Sequence, residues 1–124
     1  MSSDRRHRLG ELGEQVAAEH LGRRGFRILE RNYRTRWGEL DIVAFDGHTI
    51  AFCEVKTRRA GFRAGTPFEA IHPRKRAQVR KVAISWLHER RDRPPAPEIR
   101  CDAIGVTFDA SDRLVALEHL EGAF

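Results

Sequence analysis

GELDIVAFDGHTIAFCEVKTR, residues Gly38 to Arg58, reads as two strands joined by a tight turn. Asp46-Gly47 is a strong short-range hairpin signal, because both residues tolerate the positive φ that two-residue turns favour. Side chains alternate along a strand, which predicts Glu39, Asp41, Val43 and Phe45 on one face of the first strand. On the second strand Ile50, Phe52, Glu54 and Lys56 share a face, and Ala51, Cys53 and Val55 take the other. Two carboxylates and a lysine therefore gather on neighbouring strands, at the ends away from the turn. Strand propensity does not call for three charges there, whereas a metal site would.

Working outward, Leu9 to Arg24 has helical character, with Leu9, Leu12, Val16 and His20 along one side and Gly22 and Gly25 closing it. Met1 to Arg8 reads as a basic, flexible arm ahead of a single domain from residue 9 to residue 124. Glu14, Ala17 and Leu21 fall on one helical stripe. Periodicity alone favours a solvated Glu14 beside Glu11 and Glu19. Phe26 to Tyr33 is a plausible first strand, followed by Arg34 and Arg36 with Tyr33 and Trp37 interleaved. Guanidinium groups with aromatics suit phosphate contact and base stacking, and suit an ordinary sheet edge nearly as well.

Beyond the hairpin, Arg58 to Pro67 is Gly-rich and basic, which predicts a flexible loop. After Pro73, residues Val79, Val82, Ala83, Trp86 and Leu87 form an apolar helical stripe meant for a sheet. Lys75 lies one turn earlier on that stripe, so its ammonium is placed to reach the sheet. Asp92 to Glu98 is a proline spacer. Ile99 to Phe108 and Arg113 to Leu120 read as two further strands. The order is αβββαββ, an α/β domain bordering on α+β, with a central mixed sheet flanked by helices.

Composition narrows the class. With 124 residues, 40% of them apolar and 33% charged, the chain fits one soluble domain with a real core. No run approaches the ~18 apolar residues of a membrane span, and MSSDRRHRLG lacks the apolar stretch of a secretory signal, so a cytoplasmic location is expected. Cys53 and Cys101 form no C-x-x-C and are expected as reduced, buried thiols. The net charge of +5 comes with 20 arginines against three lysines. A basic, Arg-rich surface suits a nucleic-acid partner, although a GC-rich genome produces the same skew. There is no Walker loop, no G-x-G-x-x-G, no H-E-x-x-H and no G-x-S-x-G. What remains is Asp41, Glu54 and Lys56.

Phosphodiester hydrolysis needs an activated water and a counter-charge for the phosphate. Mg²⁺ (or Mn²⁺) supplies both and is commonly held by one or two carboxylates plus substrate. Asp41 and Glu54 suit that role, with the Val55 carbonyl as a third ligand and Lys56 placed to orient or deprotonate water. The plain alternative is a cross-strand ion pair on a wet sheet face.

An acidic residue on one strand and E-x-K on the next resembles the PD-(D/E)xK nuclease superfamily, which includes restriction endonucleases and Holliday-junction resolvases. More narrowly, the chain resembles the YraN family of small bacterial proteins with that fold. The matching pieces are GELGEQVAAEHL at Gly10 to Leu21, RNYR at Arg31 to Arg34, GELDIVA at Gly38 to Ala44 and FCEVKTR at Phe52 to Arg58. Lys75, RCDAIGV at Arg100 to Val106 and the closing Ala123-Phe124 complete the match. The resemblance implies a restriction-endonuclease-like fold, with Asp41, Glu54 and Lys56 as the catalytic motif and Glu14 as an additional acidic residue at the metal. Cys53 and Cys101 stand where that pattern commonly has a valine and an aromatic. The expected activity is metal-dependent cleavage of nucleic acid, with branched or single-stranded DNA as the expected form. Arg34, Arg36, Arg58 and Lys75 are the expected nucleic-acid contacts, and a weak homodimer fits relatives that use two sites. A binding module of the same fold that does not cut, and a structural domain whose acidic cluster pairs with Arg34 or Lys56, are the competing readings.

Overall fold

In a computed structural model that describes residues 3–61 and 71–124, the elements follow the expected order. They are α1 (Ser3–Arg23), β1 (Arg27–Thr35), β2 (Gly38–Phe45), β3 (Thr49–Arg59), α2 (Pro73–Glu89), β4 (Glu98–Phe108) and β5 (Leu114–Leu120). The five strands lie in sequence order in one mixed sheet. β3 and β4 are parallel, joined through α2, and every other neighbour is antiparallel.

The two helices cover opposite faces of the sheet, which explains the near-continuous apolar runs in β2 and β3. On the α2 side Leu40, Val43, Ile50 and Phe52 pack with Val79, Val82 and Trp86. On the α1 side Ile42, Ala44, Ala51, Cys53, Ile104 and Val106 pack with Ala17 and Leu21. Both cysteines are free thiols, Cys53 buried and Cys101 half-buried. Glu30 joins the layers at the other end, taking the Trp86 indole at 2.8 Å and Arg90 through both carboxylate oxygens at 3.0 and 2.8 Å.

Three local expectations shift. α1 begins at Ser3, so residues 3–8, expected as an arm, form its first turns. Its inward face is Gly13, Ala17 and Leu21, and Leu12 stays exposed. Small residues win that face because Gly13 sits directly on Thr57 of β3, where no side chain fits. The β2–β3 turn is centred one residue later than expected. Asp46 N–H bonds to the Thr49 carbonyl at 3.2 Å, leaving Gly47 and His48 as the turn residues, and of these only Gly47 has positive φ. The cause is the Asp46 carboxylate, which takes the N–H groups of His48 and Thr49 at 2.9 and 2.7 Å, and Asp46 itself has no positive φ. The loop expected from Arg58 to Pro67 lies mostly outside the described residues, although Arg58 and Arg59 belong to β3.

Candidate active site

β2 and β3 do not stay paired along their length. Their ladder ends at Ile42 opposite Cys53, while β2 continues to Gly38 against β1 and β3 continues to Arg59 against β4. The sheet therefore opens into a fork whose first unpaired positions are Asp41 and Glu54. Alternation also slips at this point. Leu40 belongs to the α2-side core and Ile42 to the α1-side core, although two residues apart in a regular strand share a face. Opposite, Asn32 of β1 takes a left-handed φ of 55°, so both strands change face together. The expectation that Glu39, Asp41, Val43 and Phe45 share one face fails for this reason.

Asp41 takes the place of the missing ladder. Its Oδ2 accepts the Val55 N–H at 2.6 Å. The N–H and C=O of one strand residue leave on the same edge, so the Val55 carbonyl also faces the fork. Burial pushes the Asp41 carboxyl up to about 7, against the Val55 hydrogen bond and with the negative charges of Glu54, Glu14 and Glu39. The neighbouring carboxylates of Glu54, Glu14 and Glu39 thus oppose ionisation of Asp41.

Glu54 sits on the α2 side with 16% of its side chain exposed, and its Oε1 pairs with Lys75 Nζ at 2.9 Å. Its Oε2 is buried and has no hydrogen-bond partner among the described residues. A buried carboxylate oxygen without a donor costs on the order of 1–3 kcal/mol or more, and no donor among the described residues offsets that cost here. Lys56, two residues on, is exposed and without an ion-pair partner among the described residues. Lys75, expected as a nucleic-acid contact, is spent on Glu54.

Glu14 is half-buried on α1 and lines a cleft of about 810 Å³ with Arg5, Arg8, Arg31, Asn32 and Arg59. Burial raises its carboxyl, Arg31 opposes that, and Glu39 adds to it. Its charge is felt at Asp41. Even so, no group of three or more His, Cys, Asp or Glu side chains among the described residues is gathered closely enough to hold an ion by itself. Of the remaining basic residues, Arg34 pairs with Glu39 at 3.2 Å and Arg36 stacks 4.5 Å from the centre of the Trp37 ring. Arg58 has a buried Nε without a hydrogen-bond partner among the described residues.

Residues 13–106 match the family described as Uncharacterised protein family UPF0102. The chain belongs to the UPF0102 family. The UPF0102 protein of Acidothermus cellulolyticus is 43% identical over 127 residues, covering 96% of this chain and 95% of that one. That of Chlorobium limicola is 43% identical over 122 residues, with 95% and 92% covered. That of Parafrankia is 48% identical over 117 residues, with 94% and 96% covered. The YraN-like resemblance read from the sequence is met at the level of this family.

This UPF0102 chain also holds a polar network that the sequence reading missed. Asp102 is fully buried on β4 and takes Arg100 Nε at 2.9 and 3.1 Å, the Gly122 N–H at 2.9 Å and His119 Nε2 at 2.8 Å. His119 Nδ1 lies 3.0 Å from His20 Nε2 of α1. Burial alone would raise the Asp102 carboxyl, but the bonds from His119, Arg100 and Gly122 outweigh it and hold it low. Burial, then the neighbouring His119, lowers His20. The network ties the C-terminal segment and α1 to the sheet. The only sequence signal was a carboxylate inside the apolar run CDAIGV.

Proposed function

We propose that this protein is a metal-dependent phosphodiester hydrolase acting on nucleic acid, with a site of the PD-(D/E)xK kind at the β2–β3 fork. The observation that carries the reading is the pair of carboxylates at the fork, one pushed up to about 7 and the other with an orphaned buried oxygen. Both features are costly in the protein alone and are relieved by a divalent cation. The donor set is all oxygen, which suits Mg²⁺ or Mn²⁺, ions that need only one or two carboxylates besides water and substrate. Asp41, Glu54 and the Val55 carbonyl would hold it, with Glu14 acting on it by charge. When bound, such an ion supplies an acidified water and draws charge off the phosphate.

The chain's own residues do the rest. Lys56 presents on the Glu54 face an ammonium with no ion-pair partner among the described residues, where it can orient the attacking water or balance charge on the phosphate. Arg5, Arg8 and Arg31 line the cleft beside Glu14 and offer donors to a phosphate backbone. Arg58 brings a further guanidinium on the strand that carries Glu54. DNA is the expected substrate.

One observation favours a second reading, a binding module that does not cut: Lys75 already occupies one oxygen of Glu54. Incubating wild type, Asp41→Asn and Lys56→Ala with branched and single-stranded DNA in Mg²⁺ or Mn²⁺ decides between them. Cleavage by wild type that falls at least ~100-fold in both variants is expected. Salt-sensitive binding without cleavage by any form selects the second reading. Undiminished cleavage by Asp41→Asn removes Asp41 from the site.

A further inference from the structure

The β1–β2 turn projects from the same strand that carries Asp41, and it presents one aromatic ring. Arg36 and Trp37 are the two turn residues between the paired Thr35 and Gly38. Thr35 Oγ1 accepts the Trp37 N–H at 3.1 Å and donates to the Gly38 carbonyl at 3.0 Å. From α2, Gln78 Nε2 donates to the Trp37 carbonyl at 2.7 Å. Gly38 allows this approach, since its φ is +139° and a Cβ there would overlap the Gln78 amide. The turn is thus held at both its backbone and its base.

Part of the ring stays open to solvent. Trp37 is 38% exposed and is the only exposed Phe, Tyr or Trp among the described residues. Tyr33, the other aromatic of the basic run, is buried and bonded to Ser85 at 3.0 Å, so it has no free face. Arg36 lies over one face of the Trp37 ring, 4.5 Å from its centre, and adds a second, positively charged plane behind it. Arg34 stands on the adjoining strand, tied among the described residues only to the exposed Glu39.

We propose that Trp37 with Arg36 is a stacking platform for an unpaired nucleobase, with Arg34 contacting the flanking phosphate. This rests on the nucleic-acid reading above and sharpens it to substrates that carry unpaired nucleotides. A base inside a duplex offers its faces to its neighbours, so a ring of this kind selects a single strand, a frayed end or a branch point. Trp37 is four residues from Asp41 on β2, about 13 Å at ~3.3 Å per residue. That spans roughly four stacked nucleotides at ~3.4 Å each. The platform therefore lies within reach of a strand whose phosphate sits at the fork.

The test uses the full chain without divalent ions. Labelled single-stranded DNA of about 12 nucleotides, the RNA of the same sequence and the blunt DNA duplex are titrated against wild type, Trp37→Ala and Trp37→Phe. Trp86, the other tryptophan, is 2% exposed, so quenching on binding reports Trp37. Single strands should quench wild type, bind Trp37→Ala about five- to fifty-fold more weakly and Trp37→Phe with a smaller loss. Duplex affinity should change less than about two-fold, a selectivity that misfolding would not give. The DNA and RNA arms show which strand is taken. Equal single-strand affinity of wild type and Trp37→Ala overturns the platform and leaves the nucleic-acid reading standing. No binding of any probe by wild type overturns both.

Discussion

At the scale of single residues, Asp41 is the most exposed to test, because its environment makes ionisation unfavourable in the folded protein. Burial dominates, Val55 N–H opposes it, and Glu54, Glu14 and Glu39 reinforce it, leaving the carboxyl at about 7 against an ordinary value of 3.8. The folded state therefore holds this proton more tightly than the unfolded chain. The stabilisation is complete below about pH 3.8 and is lost as pH rises through about 7. Asp41→Asn keeps an oxygen for the Val55 N–H and removes the charge. In urea unfolding without divalent ions the variant should match wild type at pH 4 and exceed it at pH 8 by about 1–3 kcal/mol. A wild type more stable than the variant at pH 8 would mean that the carboxylate is not in a negative field, and the metal argument would lose its electrostatic basis.

At the scale of elements, the placement of Glu14 depends on how closely α1 lies on β3. Gly10 and Gly13 stand three residues apart in α1, and Ala is favoured over Gly in a helix by roughly 1 kcal/mol. At Gly10 a Cβ meets nothing within 4 Å, so Gly10→Ala should stabilise by up to about that amount. At Gly13 it would overlap the Cβ, Oγ1 and Cγ2 of Thr57, a β-branched side chain with little freedom to move. Overpacking costs about 1–3 kcal/mol and outweighs the helical gain, so Gly13→Ala should destabilise, with Thr57→Ala restoring part of the loss by removing the Oγ1 and Cγ2 overlaps while the Cβ contact remains. Thermal unfolding of the four proteins checks it, and equal gains at both glycines would show that α1 is not seated as described. This close seating also marks the limit of what could be read in advance. The element order and the α2 stripe were legible because Val79, Val82, Ala83 and Trp86 repeat at helical spacing. The α1 face was not, since Gly13 and Ala17 are inward for their smallness and hydrophobicity patterns do not register that. Asp41 and Glu54 were legible as misplaced charges, yet the fork between them needs the left-handed Asn32 on a third strand. The Asp102 network draws on β4, β5, α1 and the C-terminal segment, four separated stretches that no local pattern links.

At the scale of the whole molecule, a protein of net charge +5 sets Asp41 and Glu54 at one fork, while Glu14, whose charge acts on Asp41, lines a cleft with Arg5, Arg8, Arg31 and Arg59. On the proposed nuclease reading, the basic surface would draw in a polyanion and the fork would repel its phosphate until a cation is in place. Each layer contributes: Glu14 from α1, Asp41 and Glu54 from the sheet, and Lys75 from α2. Lys75 is the internal counter-charge, and its position on Glu54 Oε1 makes it a competitor for any metal. Lys75→Ala should therefore lower the stability of the metal-free protein and tighten Mn²⁺ binding, two effects that usually go opposite ways in a damaged site. Glu54→Gln should abolish that binding. By mass action, Mn²⁺ at ~100 times its Kd should stabilise wild type by about 2.7 kcal/mol, seen as a shift in Tm that Glu54→Gln lacks. Calorimetry of the three proteins with Mn²⁺ measures both quantities without reference to cleavage. Binding that weakens in Lys75→Ala would place Lys75 as a support of the site, and binding unchanged in Glu54→Gln would move the cation away from the fork altogether.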